Sequence, residues 1–371
     1  MALSKKTVCI GSICDVRTGK LDANASSPNG QYPFFTCSRE TLRIDNYAYD
    51  CECVLVAGNG ELNAKYYNGK FNAYQRTYII SLKDGVRDVS VKYLYAFFSQ
   101  YIDTLRSRSI GGVIKYIKLG DITEAIIPLP SYEEQLRIVE ELELLNNVND
   151  KKNAQLRDLD ALVQSIFYEM FGNIITNDKE WPSGTLNDIC VQKSAIRRAS
   201  KSYSPTDSID YIDISSIDNK RQQLTETTSY VFEDAPSRAQ QVVNQDDVLI
   251  SMVRPNLKNI AIVDLDSNRL VASSGFCVLR ANPNSNSSFI KTFIGTDGFT
   301  QYLLDRVTGA NYPAVKEDDI KGCRIGIPPH DLQTLFAERV QKIERQKQLI
   351  TSSLNELCSL LTGRMYCYFN Q

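Results

Sequence analysis

GGVIKYIKLGDITEAIIPLPSYEEQLRIVEELELL, residues Gly111–Leu145, is matched 198 positions later by GANYPAVKEDDIKGCRIGIPPHDLQTLFAERVQKI, residues Gly309–Ile343. The pairs that are identical at this constant offset are Gly111/Gly309, Lys118/Lys316, Asp121/Asp319, Ile122/Ile320, Ile127/Ile325, Pro130/Pro328, Gln135/Gln333 and Glu140/Glu338. Nearer the start of each half, SICDV from Ser12 resembles DICVQ from Asp188, at an offset of 176. Self-similarity on this scale predicts two related halves of domain size.

Each repeat ends in a long predicted helix, which begins after the proline-rich turn IPLPS or IPPHD. Residues spaced by three or four, and once by seven, form a heptad seam in both helices: Leu142, Leu145, Asn149, Leu156, Leu159 and Val163, then Val340, Ile343, Lys347, Ile350, Leu354, Leu357 and Leu361. This pattern predicts an antiparallel coiled coil, in which Asn149 and Lys347 hold equivalent polar positions that set the register. The alternative is that each helix is an amphipathic flank of its own domain core.

The predicted fold class is α+β, with two domains of mixed strands and short helices separated by the two long helices in a pseudo-two-fold repeat. Aromatic and β-branched stretches such as CVLVAG and DVLISMV predict short strands between Gly, Asn and Asp turns. We place the first domain at residues 1–130 and the first long helix at 131–172. The second domain is placed at 173–329, and the second helix with a C-terminal tail at 330–371.

Composition excludes several classes of protein. The single histidine, His330, rules out zinc sites that need several histidines and a Ser-His-Asp triad at any other position. Ten cysteines without a CxxC pair read as reduced thiols, and no long apolar run predicts a membrane span. No nucleotide-binding glycine loop, amino-methyltransferase motif or nuclease core is present. We therefore expect a non-catalytic, cytoplasmic chain that holds no metal or cofactor.

Two segments combine side chains suited to contacts with DNA. The first, GNGELNAKYYNGKFNAYQRTY, interleaves basic, amide and aromatic residues, and the second is the loop SMVRPNLKN. Arg and Lys suit guanine edges and phosphates, while Asn and Gln suit adenine edges. The candidate DNA-binding residues are Asn59, Lys65, Gln75, Arg76, Arg254, Asn256 and Lys258. The alternative for the first segment is a hairpin whose tyrosines cover a sheet.

The total charge of each domain does not decide whether it binds DNA. Residues 1–130 carry 16 basic against 12 acidic side chains, whereas residues 173–330 carry 17 against 19. Nucleic-acid binding depends on local patches rather than on such totals, so the second domain is not excluded as a DNA reader.

The sequence resembles the specificity subunit of Type I restriction-modification enzymes. The resemblance lies in TGKLDAN with YPFFTC, VAGNGE with NGKFNAYQRTYII, DVLISMVRPNLKNIAIV, and the twice-used pattern of Asp-Ile, IPLP or IPP, Gln and a long helix. It implies two target-recognition domains that bind a bipartite site in double-stranded DNA, one half-site each. It also implies an antiparallel helix pair that docks two methyltransferase subunits and, through them, admits restriction subunits.

In that family the catalytic groups lie elsewhere, so S-adenosylmethionine, ATP and Mg²⁺ are expected only on the partner subunits. Two competing hypotheses remain at this point. One is a non-enzymatic coiled-coil interaction scaffold with two ligand-binding domains, and the other is an enzyme with an unrecognised active site.

Overall fold

A computed structural model describes residues 6–309 and 312–369 and divides the chain into two compact units. The first unit comprises the chain up to Asn153 together with the residues from Thr351 onward. The second unit is Ala154–Ile350. Both long helices are therefore shared, because each contributes one part to each unit.

The first unit is built around a six-stranded sheet and one long domain helix. Its elements are β1 (Thr7–Cys9), α1 (Ile10–Ile13), β2 (Cys14–Thr18), β3 (Tyr32–Phe35), β4 (Leu42–Ile44), β5 (Tyr49–Ala57), β6 (Ala64–Ala73), β7 (Thr77–Leu82), α2 (Val91–Arg108), α3 (Leu119–Thr123), β8 (Ile126–Pro128) and α4 (Tyr132–Phe171). The strand order is β2-β7-β5-β6-β3-β4, and β3 runs parallel to β6. Alternate residues of β5 serve two cores: Val54 packs with α2 residues, and Leu55 packs on the opposite side with Phe71.

The second unit distributes its strands over smaller sheets. Its elements are β9 (Ser183–Thr185), β10 (Ser208–Ile212), β11 (Ile217–Asp218), β12 (Gln223–Leu224), β13 (Thr228–Val231), β14 (Ala239–Val242), β15 (Val248–Ser251), β16 (Ile260–Ile262), β17 (Leu270–Ser273), β18 (Phe276–Leu279), α5 (Ser287–Ile294), α6 (Asp297–Leu304), α7 (Glu317–Lys321), β19 (Arg324–Gly326) and α8 (His330–Phe369). The two largest sheets have the orders β13-β10-β17-β14 and β16-β15-β18. Helices α5 and α6 are separate, because the chain turns at Gly295 and the Thr296 hydroxyl caps α6 by accepting from the Phe299 amide.

The repeat seen in the sequence is a repeat of structure. Strand β1 pairs antiparallel with β8, and β9 pairs antiparallel with β19 at the corresponding positions. Gln135 and Gln333 explain why a glutamine recurs, since both side chains are fully buried. The Gln135 Oε1 accepts from the Ser90 amide at the start of α2, and the Gln333 Oε1 accepts from the Asn286 amide at the start of α5. In each unit this glutamine joins the start of a long helix to the start of a domain helix.

The long helices pack antiparallel. In the second unit Asp160 of α4 contacts Lys347 of α8, and ten residues further along α4, Met170 contacts Arg339, which lies earlier in α8. In the first unit Glu141 of α4 pairs with Arg364 near the end of α8 at 2.7 Å. All thirteen seam positions named above, including Leu145, Leu156, Leu159, Ile350 and Leu357, are buried or half-buried.

Candidate nucleic-acid interface

Three loops of the first unit meet at one place, which we call the first junction. The Gly58 amide donates to the Arg76 carbonyl at 2.8 Å, and the Gly60 amide donates to the Lys115 carbonyl at 3.1 Å. The Ile117 amide donates back to the Gly58 carbonyl at 3.0 Å. These bonds fasten the loop after β5, the turn between β6 and β7, and the segment before α3 to one another.

The second unit repeats this arrangement at the second junction. The Met252 amide donates to the Gly275 carbonyl at 2.9 Å, the Arg254 amide to the Pro313 carbonyl at 2.8 Å, and the Val315 amide to the Met252 carbonyl at 2.9 Å. Position for position, Met252 corresponds to Gly58, Arg254 to Gly60, and Gly275 to Arg76. The two junctions therefore share the same backbone hydrogen bonds. The arginine, however, is Arg76 in the first junction, where its carbonyl accepts, and Arg254 in the second junction, where its amide donates.

A short backbone bridge adjoins each junction, and in the first unit this bridge closes a hairpin. Ile110 and Tyr116 exchange both backbone hydrogen bonds, and Thr308 and Ala314 do the same. The glycine that directly follows Ile110 or Thr308 has a positive φ, +121° at Gly111 and +91° at Gly309, which an L side chain rarely adopts. The tip of the first hairpin is apolar and fully open to solvent at Val113.

Four of the residues predicted to contact DNA have free side chains. Gln75, Arg76, Arg254 and Asn256 are exposed, and among the described residues none of these four side chains forms a hydrogen bond or ion pair. Arg254 has a left-handed backbone (φ +51°) before the turn Pro255–Leu257, which fixes where its side chain leaves the loop. All four are available to a ligand at the junctions.

The other three predicted residues are engaged within the protein. The Lys65 ammonium donates to the Ser38 carbonyl at 2.6 Å, and burial lowers its pKa. The Lys258 ammonium pairs with Asp297 at 2.6 Å. Asn59 is half-buried, and its backbone bridges to Tyr116, while its side chain forms no hydrogen bond within the described residues. The contacts of the two lysines favour a role in positioning the loops rather than in touching bases.

Sequence reasoning missed a basic cleft in the second unit. It is an open cavity of about 1030 Å³ whose lining includes Met252 and Val315 of the second junction. The cations that line it are Lys193, Arg197, Arg198, Lys201 and Lys316. Four of them come from one run, KSAIRRASK, which contains no acidic residue. This run is the feature of the sequence that could have predicted the cleft. The slightly negative total charge of the domain gives no indication of it.

Across 6–309 and 312–369, no three His, Cys, Asp or Glu side chains come together in a way that could hold a metal ion. No helix in these ranges is long and apolar enough to span a membrane.

Two repeated junctions with divergent side chains, on domains joined by paired long helices, define a class of protein with two related recognition units. The family model described as "Type I restriction modification DNA specificity domain" matches residues 4–158 and again residues 178–358. The chain belongs to this family and is a DNA specificity subunit of a Type I restriction-modification system.

Comparisons with individual proteins agree with this assignment. The chain is 28% identical over 387 aligned residues to the Type I restriction enzyme EcoDI specificity subunit of Escherichia coli, covering 94% of this chain and 83% of that one. It is 20% identical over 297 residues to the MjaVIII specificity subunit of Methanocaldococcus jannaschii, covering 73% and 70%. The crystal structure of a Type I S subunit from M. genitalium has the same fold, with a TM-score of 0.58 at 14% identity over 100% of this chain and 97% of that one.

Proposed function

We propose that each unit reads one half of a bipartite DNA site through its junction and that the chain itself performs no catalysis. This proposal rests on one observation. The two junctions share their backbone hydrogen bonds, but the arginine occupies a different position in each, Arg76 in the first and Arg254 in the second. Because the backbone is equivalent, each junction presents its side chains to DNA in the same way. The different side chains then give the two units different base preferences. A bidentate contact from arginine to guanine contributes about 1–3 kcal/mol of discrimination.

Partner binding is proposed to use two grooves, one in each unit. The first groove, about 870 Å³, lies between α2, α4 and α8 in the first unit. The second groove, about 540 Å³, lies between α5, α4 and α8 in the second unit. Six pairs of lining positions are related by the offset of 198, with one member in each groove: Leu142/Val340, Glu143/Gln341, Asn146/Glu344, Val163/Leu361, Gln164/Thr362 and Tyr168/Tyr366. Two equivalent grooves suit two copies of one partner.

The chemistry of the first groove supports a protein partner. Leu142 and Leu361 line it with apolar surface, and exposed Tyr366 stands beside them. The Gln100 Oε1, which also lines the groove, is buried without a hydrogen-bond partner among the described residues. Since an unsatisfied buried acceptor is unfavourable, a partner gains binding energy if it brings a donor and the Gln100 side chain turns toward it.

We infer that the two occupants are methyltransferase subunits, so that the complex contains one copy of this chain and two of them. S-adenosylmethionine would bind to these subunits, and ATP and Mg²⁺ to restriction subunits recruited through them, on DNA in the cytoplasm. A DNA-independent scaffold is not favoured, because it gives no reason for two junctions that differ only in their side chains. Native mass spectrometry at saturating methyltransferase tests the ratio, and a stable one-to-one complex would contradict it.

The reading proposal is tested by sequencing methylated sites produced by this chain with its methyltransferase. Arg76→Ala is expected to relax bases in one half-site only, and Arg254→Ala bases in the other half-site only. Arg87→Ala and Arg324→Ala, which remove exposed arginines away from the junctions in the same units, should leave both half-sites unchanged. If Arg76→Ala and Arg254→Ala relax the same half-site, or neither relaxes any, the assignment of one half-site to each unit is wrong.

A further inference from the structure

The basic cleft of the second unit contains more positive charge than the protein itself neutralises. Lys193 pairs with Glu317, which also contacts Lys321 at 2.9 Å. Arg197, Arg198, Lys201 and Lys316 are all exposed, and none of these four side chains forms an ion pair or hydrogen bond within residues 6–309 and 312–369. Like charges held close together repel one another, so this arrangement is favourable mainly when an anion is bound.

The backbone beneath these cations is fixed. The Val242 amide donates to the Arg197 carbonyl at 3.0 Å, and Arg198 forms a backbone bridge with Gln241 of β14. Ala199 is fully buried in a hydrophobic cluster with Tyr211. Arg197 and Arg198 therefore extend from an anchored segment and not from a free loop.

The cleft is continuous with the second junction. Its lining includes Met252 and Val315, which hydrogen-bond to each other there, and Phe276, which follows Gly275. A ligand that reaches Arg254 at the junction would therefore extend along the row of cations. Their spread over an open cleft of about 1030 Å³ fits a chain of phosphates better than a single small anion.

Within the described residues of the first unit, the stretch equivalent to this run carries less positive charge. Cys14 pairs with Leu82 at the end of β7, and Cys190 pairs with Ala281, two residues after the end of β18. With Cys14 and Cys190 as equivalent positions, Arg17–Ala25 corresponds in sequence to Lys193–Lys201. That stretch, RTGKLDANA, has two basic residues and one acidic residue, whereas KSAIRRASK has four basic and none acidic. Only Lys316 has an identical counterpart, Lys118.

We propose that Arg197, Arg198, Lys201 and Lys316 form a phosphate-binding cleft that holds the DNA backbone beside the half-site read by the second unit. This inference rests on the proposed function, and it adds that the sequence-independent affinity is concentrated in one of the two units. Each phosphate contact releases condensed counterions, so every cation lost from the cleft reduces the dependence of log K on log salt by about 1, equally for all sequences.

The experiment measures the DNA affinity of the complex of this chain with its methyltransferase, over a series of salt concentrations. The DNAs are duplexes with both half-sites, with the first scrambled, and with the second scrambled. R197Q/R198Q is expected to reduce the salt slope by about 2 and to weaken binding to all three duplexes by the same factor. R197K/R198K should retain the slope, because the charge is kept.

K342Q/R345Q is the matched control, because it removes two exposed cations of the same unit that line neither the cleft nor a groove. It should leave the slope unchanged. An unchanged slope for R197Q/R198Q, or a loss of preference for the second half-site alone, would overturn the cleft proposal. A wild-type complex that binds all three duplexes equally would instead contradict the proposed reading function.

Discussion

Lys347 of α8 lies 2.7 Å from Asp160 of α4 within the second unit and 2.9 Å from Glu344. The lysine is only 9% exposed, at the seam position that corresponds to Asn149. Burial would lower its pKa, but hydrogen bonds to Asp160 and Glu344 and their charges outweigh burial and raise it above the ordinary value of 10.5. A lysine with a raised folded-state pKa stabilises the fold below its ordinary pKa, and this contribution is lost as the pH rises through the folded value. The contact is therefore fully present at neutral pH.

The first prediction concerns replacement of this buried cation. Lys347→Met should change the free energy of unfolding by less than about 1 kcal/mol, because the apolar side chain keeps the volume and Asp160, about half exposed, returns to water. Lys347→Asp should cost more than about 2 kcal/mol, since it brings three carboxylates together at the seam. Urea unfolding at pH 7 measures both, with exposed Lys342→Asp as the control. Equal losses from Met and Asp would show that charge at this position is irrelevant.

The second prediction concerns the repeated glutamine. Gln135→Leu leaves the Ser90 amide and the Asp88 and Pro130 carbonyls without their partner, so we expect a loss of about 1–3 kcal/mol in the free energy of unfolding. Gln333→Leu should cost a similar amount. Gln346→Leu, at an exposed position of α8, is the matched control and should change stability by less than about 0.5 kcal/mol. If all three variants unfold at the same urea concentration, the buried glutamines do not hold the helix starts together.

The third prediction uses adjacent glycines of the first hairpin. A Cβ on Gly111 would lie 2.6 Å from the Ile114 carbonyl oxygen on a backbone with φ +121°, whereas a Cβ on Gly112 would meet nothing within 4 Å. Gly111→Ala should therefore cost about 1–3 kcal/mol through strain or rearrange the hairpin. Gly112→Ala should be close to neutral. Urea unfolding, with the DNA affinity of the methyltransferase complex as a second readout, compares the two, and indistinguishable variants would contradict the strained conformation.

The architecture could be predicted because its signals are carried by side chains that recur. Positions 111 and 309 require a residue that adopts a positive φ, and positions 135 and 333 require a buried side chain that both donates and accepts. Few other residues meet these requirements, so the repeat is recognisable in the sequence. Most of the heptad positions likewise had to be apolar to pack, with Asn149 and Lys347 as the polar exceptions, and this pattern predicts both long helices and their pairing.

The junctions could not be predicted for the opposite reason. They are made from backbone hydrogen bonds, in which every residue can accept and every residue except proline can donate. Arg254 can therefore stand where the first junction has Gly60, and Gly275 where it has Arg76. The partner of Lys258 is Asp297, 39 residues away, and no local pattern indicates such a pair. The sequence therefore predicts the same DNA-binding role for Lys258 and Arg254. In the structure the Lys258 side chain is paired with Asp297, whereas the Arg254 side chain forms no such contact within the described residues.

We predict that the paired long helices set the length of the spacer between the two half-sites in DNA. One heptad inserted after Asp150 and another after Gln348 keep the seam in phase, and each adds ~10 Å of helix at ~1.5 Å per residue. At ~3.4 Å per base pair, this lengthens the spacer between the half-sites by up to about three base pairs. The single insertions serve as controls, because an unmatched heptad can loop out and leave the distance shorter than intended.

The most direct measurement is sequencing of the sites methylated by the doubly inserted chain together with its methyltransferase. The account predicts that both half-sites keep their bases while the spacer between them becomes longer. Methylation at the original spacer, or altered half-site bases with the spacer unchanged, would contradict it.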